Sequence, residues 1–485
     1  MEKKTSSWQI IAVLGLFSLL SGLSGSSTNL ALPKISLDLG ISNSASTWIV
    51  QVGLITTAIF LVMFGHIGDL VSKNLVFLMG GLAFIVGSGI TGIAPTYPII
   101  LFGRIVQAIG SAMILANSMG IVSQYVPNTS RAEALSIISM FVSVGSISGP
   151  AVGGIVITEV SWRWIFLFNV PVGLLILLFG WHTLPLPKRQ PGELKQIMQQ
   201  ANWTGQNLFT IGIILFFLSG YFIQQGTSQL PLGLVILLVG TAITVFSFIQ
   251  DDRSKQPWID RSVLRNRRYM ISVGILMLAM LVNSISNILL PFYLQSYGKM
   301  SAFDSGLLMM LQSVTMLFVS PISGYLADHW NRTILTIGGL IILVVSQVGY
   351  ALYPPTMNLF QIIWPIVLNG IGIGFFLSPN NAIIMDSVPQ SLGGVAGSLS
   401  SFARTLGLTI GISVGSSLLF LQLPDVKQIT PQLGSRFMNA FSNLFWVATA
   451  ISVLSLIIVV WRYYDGKKHP APAAAAAPVS KPANK

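Results

Sequence analysis

Fourteen apolar stretches of about 20 residues, separated by short polar segments, constrain this chain more than any other feature. They begin near Ile10, Ser46, Asn74, Tyr97, Ala134, Trp162, Asn207, Leu230, Met270, Ala302, Arg332, Asn358, Gly393 and Arg436. Such a stretch crosses the hydrocarbon core of a bilayer as a helix, because a helix satisfies its own backbone hydrogen bonds. Only 8% of the 485 residues are charged, against about 25% in soluble domains. We therefore predict an all-α integral membrane protein of the cell membrane, multi-pass and surrounded by the lipid bilayer.

The formal net charge of +12 is distributed unevenly between the two membrane faces. If the N-terminus is cytoplasmic and the spans alternate, 19 of the 26 Lys and Arg residues fall in cytoplasmic segments and five in outer segments. This asymmetry follows the positive-inside rule and predicts that both termini are cytoplasmic. The basic balance therefore reflects topology, and we expect no nucleic-acid partner.

Similar segments recur at a nearly constant offset along the chain. GHIGD, from Gly65 to Asp69, recurs 259 residues later as GYLAD, from Gly324 to Asp328. At an offset of 262, four further pairs match: Gly110 with Gly372, Pro127 with Pro389, Gly145 with Gly407 and Gly149 with Gly411. Parallel repeats of six spans explain these matches.

The duplication leaves two surplus spans, near 207–226 and 230–250, between the halves. We predict a 6+2+6 arrangement with an N-terminal bundle at 1–190 and a linker with the extra spans at 191–268. A C-terminal bundle at 269–465 and a disordered cytoplasmic tail at 466–485 follow, the tail being rich in Ala and Pro.

One uncharged span contains the run GSISGPAVGG. Its helix-loosening residues are Gly145, Gly149, Pro150, Gly153 and Gly154. Glycines four apart let two helices approach backbone to backbone, and a membrane helix tolerates the proline. The run indicates either a pliable helix where two moving halves meet or a static packing seam.

Five motifs make the chain resemble the major facilitator superfamily, specifically its fourteen-span drug:proton antiporter family, over roughly residues 10–465. They are GHIGDLVSKN from Gly65, GYLADHWNRT from Gly324, FGRIVQAIGSA from Phe102, GSISGPAVGG from Gly145 and WRWIFLFNVPVG from Trp162. The resemblance implies loop latches (Gly65, Asp69, Lys73, Gly324, Asp328, Arg332), a span-4 motif (Arg104, Gln107, Gly110) and a span-6 signature (Trp162, Arg163, Trp164, Asn169, Pro171). The loop motifs depart from the family pattern at Leu70 and Ser72, and at His329 and Asn331.

Arg104 is a charge inside a span, which costs about 2.5–3.5 kcal/mol on insertion scales. It indicates either a proton pathway, as the resemblance implies, or a structural arginine bonded to backbone carbonyls. Its repeat counterpart is Ile366, so the feature belongs to one half only. Arg404, in span 13, is expected to be a second buried cation. Trp162 and Trp164 are expected to anchor the outer membrane boundary.

The acid that precedes Ala-Leu-Pro in span 1 of the family is Ser24 in this chain. None of the 14 Asp and Glu residues falls at a membrane midplane. A proton-coupled carrier needs a group that changes protonation as access alternates. The carboxylates nearest to the spans are Glu159 and Asp304, which become the candidates for coupling.

The function predicted from these features is secondary active transport: multidrug-type efflux of amphipathic or cationic small molecules by alternating access, coupled to protons. Polar residues that could face a substrate cavity are Asn29, Asn117, Asn283, Asn287 and Gln312; hydrogen bonds between helices explain them equally well. The alternative is an uncoupled facilitator or exporter of a lipid or neutral metabolite. No cofactor, metal site or enzymatic activity is expected, since the spans contain no catalytic or metal-binding set.

Overall fold

The computed structural model describes residues 7–126, 131–186, 202–224, 229–254, 261–389, 393–423 and 426–468. Fourteen helices in these residues are long and apolar enough to cross a membrane. They are α1 (Ser7–Asp38), α2 (Asn43–Leu70), α3 (Lys73–Ile93), α4 (Tyr97–Tyr125), α5 (Arg131–Glu159), α6 (Arg163–Thr183), α7 (Trp203–Gln224), α8 (Leu230–Arg253), α9 (Arg267–Pro291, continued by a π-helix, Phe292–Tyr297), α10 (Ala302–His329), α11 (Arg332–Ala351), α12 (Leu359–Asp386), α13 (Gly393–Leu421) and α14 (Gly434–Lys468). The described residues contain no strand. The prediction of an all-α fold with fourteen spans is confirmed.

Short polar side chains begin many of these helices. Ser42, Ser72, Asn266, Ser301, Asn331 and Asn358 each accept a hydrogen bond from a backbone N–H two or three residues further on. Such N-caps satisfy donors that the first helical turn leaves unpaired. Consecutive helices can therefore be joined by short connections at the membrane surface.

Glycines of α5 press against the backbone of α1. A Cβ atom on Gly145 would meet the carbonyl group of Leu19, and one on Gly149 would meet the carbonyl oxygen of Leu23 and the Ser26 hydroxyl. The close approach thus depends on the absence of side chains at these two positions.

The same contact recurs in the second half of the chain. A Cβ atom on Gly407 of α13 would meet the carbonyl group of Met277, and one on Gly411 would meet the carbonyl group of Leu281 and the Ser284 hydroxyl. Each α9 residue lies 258 positions after its α1 counterpart, and each α13 glycine 262 after its α5 counterpart. The repeated packing supports the predicted duplication and the role of GSISGPAVGG as a close-packed helix.

The two surplus helices, α7 and α8, pack closely on each other. Gly212 of α7 lies against the backbone of Thr244 in α8. The pair also contacts both halves: the Gln206 amide donates to the Ile59 carbonyl of α2 at 3.3 Å, and the Phe209 ring lies 5.6 Å from that of Phe402 in α13. The extra pair therefore lies beside α2 and α13.

We predict that Gly145→Ala and Gly407→Ala destabilise the protein by about 1–3 kcal/mol each, because the new methyl group displaces a neighbouring backbone. Thermal unfolding of the purified protein in detergent measures this effect. The matched controls are Gly25→Ala in α1 and Gly274→Ala in α9, where a Cβ atom meets nothing within 4 Å. Equal unfolding temperatures for the glycine variants and the controls would contradict the packing account.

Candidate functional site

Five buried polar residues of α1, α3, α4 and α6 form one hydrogen-bonded cluster. This N-half polar core consists of Ser24, Ser88, Arg104, Gln107 and Asn169, each at most 9% exposed. The Gln107 amide donates to the hydroxyls of Ser88 at 2.8 Å and Ser24 at 3.2 Å. The Asn169 amide donates to the same two hydroxyls at 3.4 and 3.2 Å. The motifs of spans 4 and 6 are thus brought together.

Arg104 extends the core to α2. Its Nε donates to the Ile49 carbonyl at 3.0 Å, and a terminal nitrogen donates to the Gln107 side-chain oxygen at 2.5 Å. The guanidinium passes Gly53, where a Cβ atom would lie 3.0 Å from it. Within the described residues no carboxylate bonds to Arg104, so amide dipoles compensate this buried charge. The geometry supports the reading of a structural arginine that joins α2 to α4.

Ser24, at the position of the family's acid, accepts hydrogen bonds from both amides of the core. Sequence reasoning identified Ser24 as a missing acid but did not place it beside Gln107 and Asn169. One feature of the sequence indicates such a cluster weakly: all three are polar residues within apolar spans. One buried acceptor, the side-chain oxygen of Asn169, has no partner.

A second polar cluster occupies the equivalent place in the other half, and sequence reasoning missed it. The C-half polar core consists of Ser286, Gln347, Tyr350 and Asn369, all fully buried. Gln347 lies 259 residues after Ser88, and Asn369 lies 262 after Gln107. These are the offsets of the repeat, so applying them to the first polar core would have predicted the second. The amide nitrogen of Gln347, the Tyr350 hydroxyl and both amide atoms of Asn369 lack partners. This core contains no cation, since Ile366 stands where the other half has Arg104.

The predicted cavity residues do not form one site. On α9 and α10, the Gln312 amide donates to the Asn283 side chain at 2.6 Å, and Asn287 donates to the Asn283 carbonyl at 2.9 Å. Asn117 is instead fully buried, donating to the carbonyls of Phe64 and Met113. Asn29 is partly buried, and its side-chain oxygen has no partner.

The residues that depart from the loop motif have local roles. Ser72 caps α3, and Asn331 caps α11. Arg332 pairs with Asp386 at the end of α12 and donates to the Ala327 carbonyl at 3.1 Å. The sequence analysis did not identify Asp386 as a partner of the loop motif.

The remaining loop-motif residues are placed less completely. Asp69 and Asp328 lie at the ends of α2 and α10, but their side chains are outside the described part of the chain. The aliphatic chain of Lys73 lies against Gly120.

The span-6 signature differs from expectation at Trp162. This indole is only 1% exposed, and its N–H donates to Asp38 at 3.0 Å. Arg163 pairs with the same carboxylate at 3.1 Å and stacks over the Trp162 ring. Trp162 therefore joins the end of α1 to the start of α6, and the prediction of a lipid-facing anchor was wrong for it. Trp164 is half exposed, as an interfacial anchor requires.

The two halves are bonded to each other toward one end of the helices. The backbone N–H of Asn43 donates to the Lys427 carbonyl at 2.9 Å, and the Gln428 amide donates to the Ile41 carbonyl at 2.6 Å. We call this the sealed end. About two turns along α2, Gln51 donates to Ser416 of α13 at 2.8 Å.

Glycine contacts close the seam between α5 and α10 toward the same end. A Cβ atom on Gly154 would lie 2.9 Å from the Ala302 carbonyl oxygen, and one on Gly306 would meet the Pro150 carbonyl. The hydrogen bonds identified between α1–α6 and α9–α14 among the described residues cluster in the half of the helices that ends at the sealed end.

Glu159 and Asp304 both flank this seam. Each side chain is exposed, and Asp304 also accepts from the Ser301 hydroxyl at 2.7 Å in the cap of α10. A cavity of about 430 Å³ at the sealed end is lined by their neighbours Thr158 and Ala302. Neither carboxylate reaches either polar core, because both stand at helix ends.

Fourteen spanning helices, two related bundles and a seam bonded at one end define a transporter of the cell membrane, not an enzyme. The chain belongs to the Major Facilitator Superfamily, whose family description matches residues 14–412. The predicted superfamily is therefore confirmed.

Three relatives illustrate the range of functions around this sequence. The chain is 28% identical to "Riboflavin transporter RibZ" of Clostridioides difficile, with 94% of this chain and 97% of that one covered. It is 26% identical to "Multidrug export protein EmrB" of Escherichia coli, with 92% and 89% covered. It is 25% identical to "Multidrug resistance protein Stp" of Mycobacterium tuberculosis, with 84% and 74% covered.

We predict that Gln107→Leu lowers the free energy of unfolding by about 3 kcal/mol, since it removes the acceptor of one Arg104 nitrogen and one of the two amides that bond the buried Ser24 and Ser88 hydroxyls. Chemical or thermal unfolding in detergent tests this value. Gln361→Leu, at an exposed position in the first turn of α12, is the control and should have little effect. A Gln107→Leu protein as stable as the control variant would show that the polar core does not hold the N-terminal helices together.

Proposed function

We propose that this chain is an exporter of amphipathic small molecules that works by alternating access. The observation that carries the proposal is the clustering of the identified hydrogen bonds between the halves toward the sealed end. Placing both termini in the cytoplasm, as the distribution of Lys and Arg favours, makes the sealed end the outer face. The described state is then open toward the cytoplasm.

The composition of the seam supports a rocking motion. Where α5 meets α10, backbone faces backbone at Gly154 and Gly306. Where α2 meets α13, the neutral side chain of Gln51 bonds Ser413 and Ser416. Breaking a few neutral hydrogen bonds of about 1 kcal/mol each is compatible with reversible opening.

The charges inside the spans bear on the substrate class. Among the described residues, every Asp and Glu lies within the first or last four residues of a helix. Arg404, expected to be a buried cation, lies inside the span Leu399–Leu421 and is deeply surrounded by protein, yet its side chain keeps accessible surface. We place Arg404 in the substrate cavity, where it disfavours cations.

This charge pattern favours a second candidate substrate class, a neutral metabolite. The relative named as a riboflavin transporter supports it, and the relatives named for multidrug export and resistance support the first. Both classes share an apolar, uncharged or weakly charged body, and both fit a cavity with few charged groups.

Coupling to protons is proposed to act through Glu159 or Asp304. Both carboxylates lie on the two helices whose seam must part, so their surroundings change when the sealed end opens. An exposed carboxylate in one state and a covered one in the other differ in proton affinity. Substrate leaving in one direction would thereby be linked to protons moving in the other.

In proteoliposomes, we expect an acidic lumen to drive substrate uptake. Glu159→Gln or Asp304→Asn should reduce the gradient-driven component about tenfold, within the usual range of coupling between linked sites. Asp252→Asn, at the end of α8 and away from the seam, is the control. Uptake at the same rate with and without the gradient would falsify proton coupling while leaving the alternating-access proposal standing.

Arg404→Gln should raise the transport of a monocationic dye relative to riboflavin by about fivefold, equivalent to about 1 kcal/mol for a charge pair in a water-filled space. Competition between the two compounds in one vesicle preparation measures the ratio directly. Arg253→Gln, which removes an exposed arginine at the end of α8, should leave the ratio unchanged. An unaltered ratio in the Arg404 variant would remove this residue from the substrate path.

A further inference from the structure

The beginning of α9 and the end of α14 are joined by arginines. Arg462 of α14 is 8% exposed, and one terminal nitrogen donates to the Ser272 hydroxyl of α9 at 2.6 Å. That hydroxyl donates in turn to the Arg268 carbonyl at 2.7 Å. One turn earlier, the Arg267 guanidinium lies 4.7 Å from the centre of the Trp461 ring. We call this junction the α9–α14 seam.

The Arg462 guanidinium is only partly satisfied. The second terminal nitrogen of Arg462 is buried and has no hydrogen-bond partner. Arg268 is close enough to repel the Arg462 charge. A buried guanidinium with an unused donor is costly, because the protein has removed its water without supplying an acceptor.

Polar side chains at the start of α9 and the end of α12 have other partners. Asn266 uses its side chain to cap α9 and to bond the Ser387 carbonyl. The neighbouring Asp386 is paired with Arg332. Exposed Arg265 and Arg268 add further positive charge, and the first turn of α9 adds its helix dipole.

Apolar side chains border the seam on its outer side. Met270, Ile457, Trp461 and Tyr464 are each 39–59% exposed. Indole and phenol rings at a membrane surface favour the headgroup region of lipids. The seam thus combines an unsatisfied anion-binding group with a surface that faces acyl chains.

We propose that the α9–α14 seam binds the phosphate group of an anionic phospholipid. The phosphate oxygens accept hydrogen bonds from Arg462 and Arg268, and the acyl chains lie along Met270 and Ile457. Arginine suits this ligand because its planar fork donates to two phosphate oxygens at once. The apolar border favours a lipid headgroup over free phosphate. With the N-terminus inside, the lipid belongs to the cytoplasmic leaflet.

The test titrates the purified full-length protein in detergent with short-chain phosphatidylglycerol and follows thermal unfolding. Native mass spectrometry counts the lipids retained. Phosphatidylglycerol should raise the unfolding temperature because it binds the folded state; phosphatidylcholine of equal chain length and inorganic phosphate should not. Arg268→Gln should weaken the apparent affinity for phosphatidylglycerol about fivefold, the loss expected for one surface arginine.

Arg462→Gln should weaken binding at least as much, and Arg268→Gln decides the question if the buried variant does not fold. Arg253→Gln is the matched control, since it removes an exposed arginine at a helix end outside the seam. Equal stabilisation by phosphatidylcholine, or unchanged phosphatidylglycerol affinity in Arg268→Gln, would overturn the site. Stabilisation by inorganic phosphate alone would overturn its assignment to a lipid.

Discussion

Backbone contact between α1 and α5, repeated between α9 and α13, underlies the rest of this structure. Helices in lipid gain little from hydrophobic association, because the surrounding acyl chains are as apolar as leucine. Close packing must supply the attraction instead, and glycine pairs at 145/149 and 407/411 allow it. Because α5 is held on α1, its far side is free to form the seam with α10. The glycines of one short segment thus face two partners, one within its half and one across the seam.

The two halves share a packing scheme but differ in their polar cores. The N-terminal half encloses a cation, two of whose donors bond a carbonyl and an amide. The C-terminal half encloses neutral groups, several of them without a hydrogen-bond partner. The two halves therefore differ in the interior of each bundle, where charge is most costly.

Hydropathy and the repeat offset predicted most of the fold. Span positions follow from the length of apolar stretches, and the duplication from matches such as Gly145 with Gly407. The polar cores were harder, since Ser24 and Asn169 are 145 residues apart and their meeting depends on how α1 and α6 rotate. Trp162 was misplaced for the same reason: a sequence shows that an indole is near the interface but not which side of the helix it occupies. No sequence motif indicates that Asp386 pairs with Arg332.

The side on which the halves are bonded is a property of one conformation, so no residue pattern could indicate it. The chain has no cysteine, which allows spin labels to be introduced in pairs at chosen positions. Leu37 and Lys299 report on the sealed end, and Gln124 and Trp330 report on the opposite end; Leu37 and Trp330 are 64% and 68% exposed. Double electron–electron resonance during turnover should show a population in which the first distance lengthens while the second shortens. Transport with both distances constant, or with both changing in the same direction, would contradict two halves that rock about a common centre.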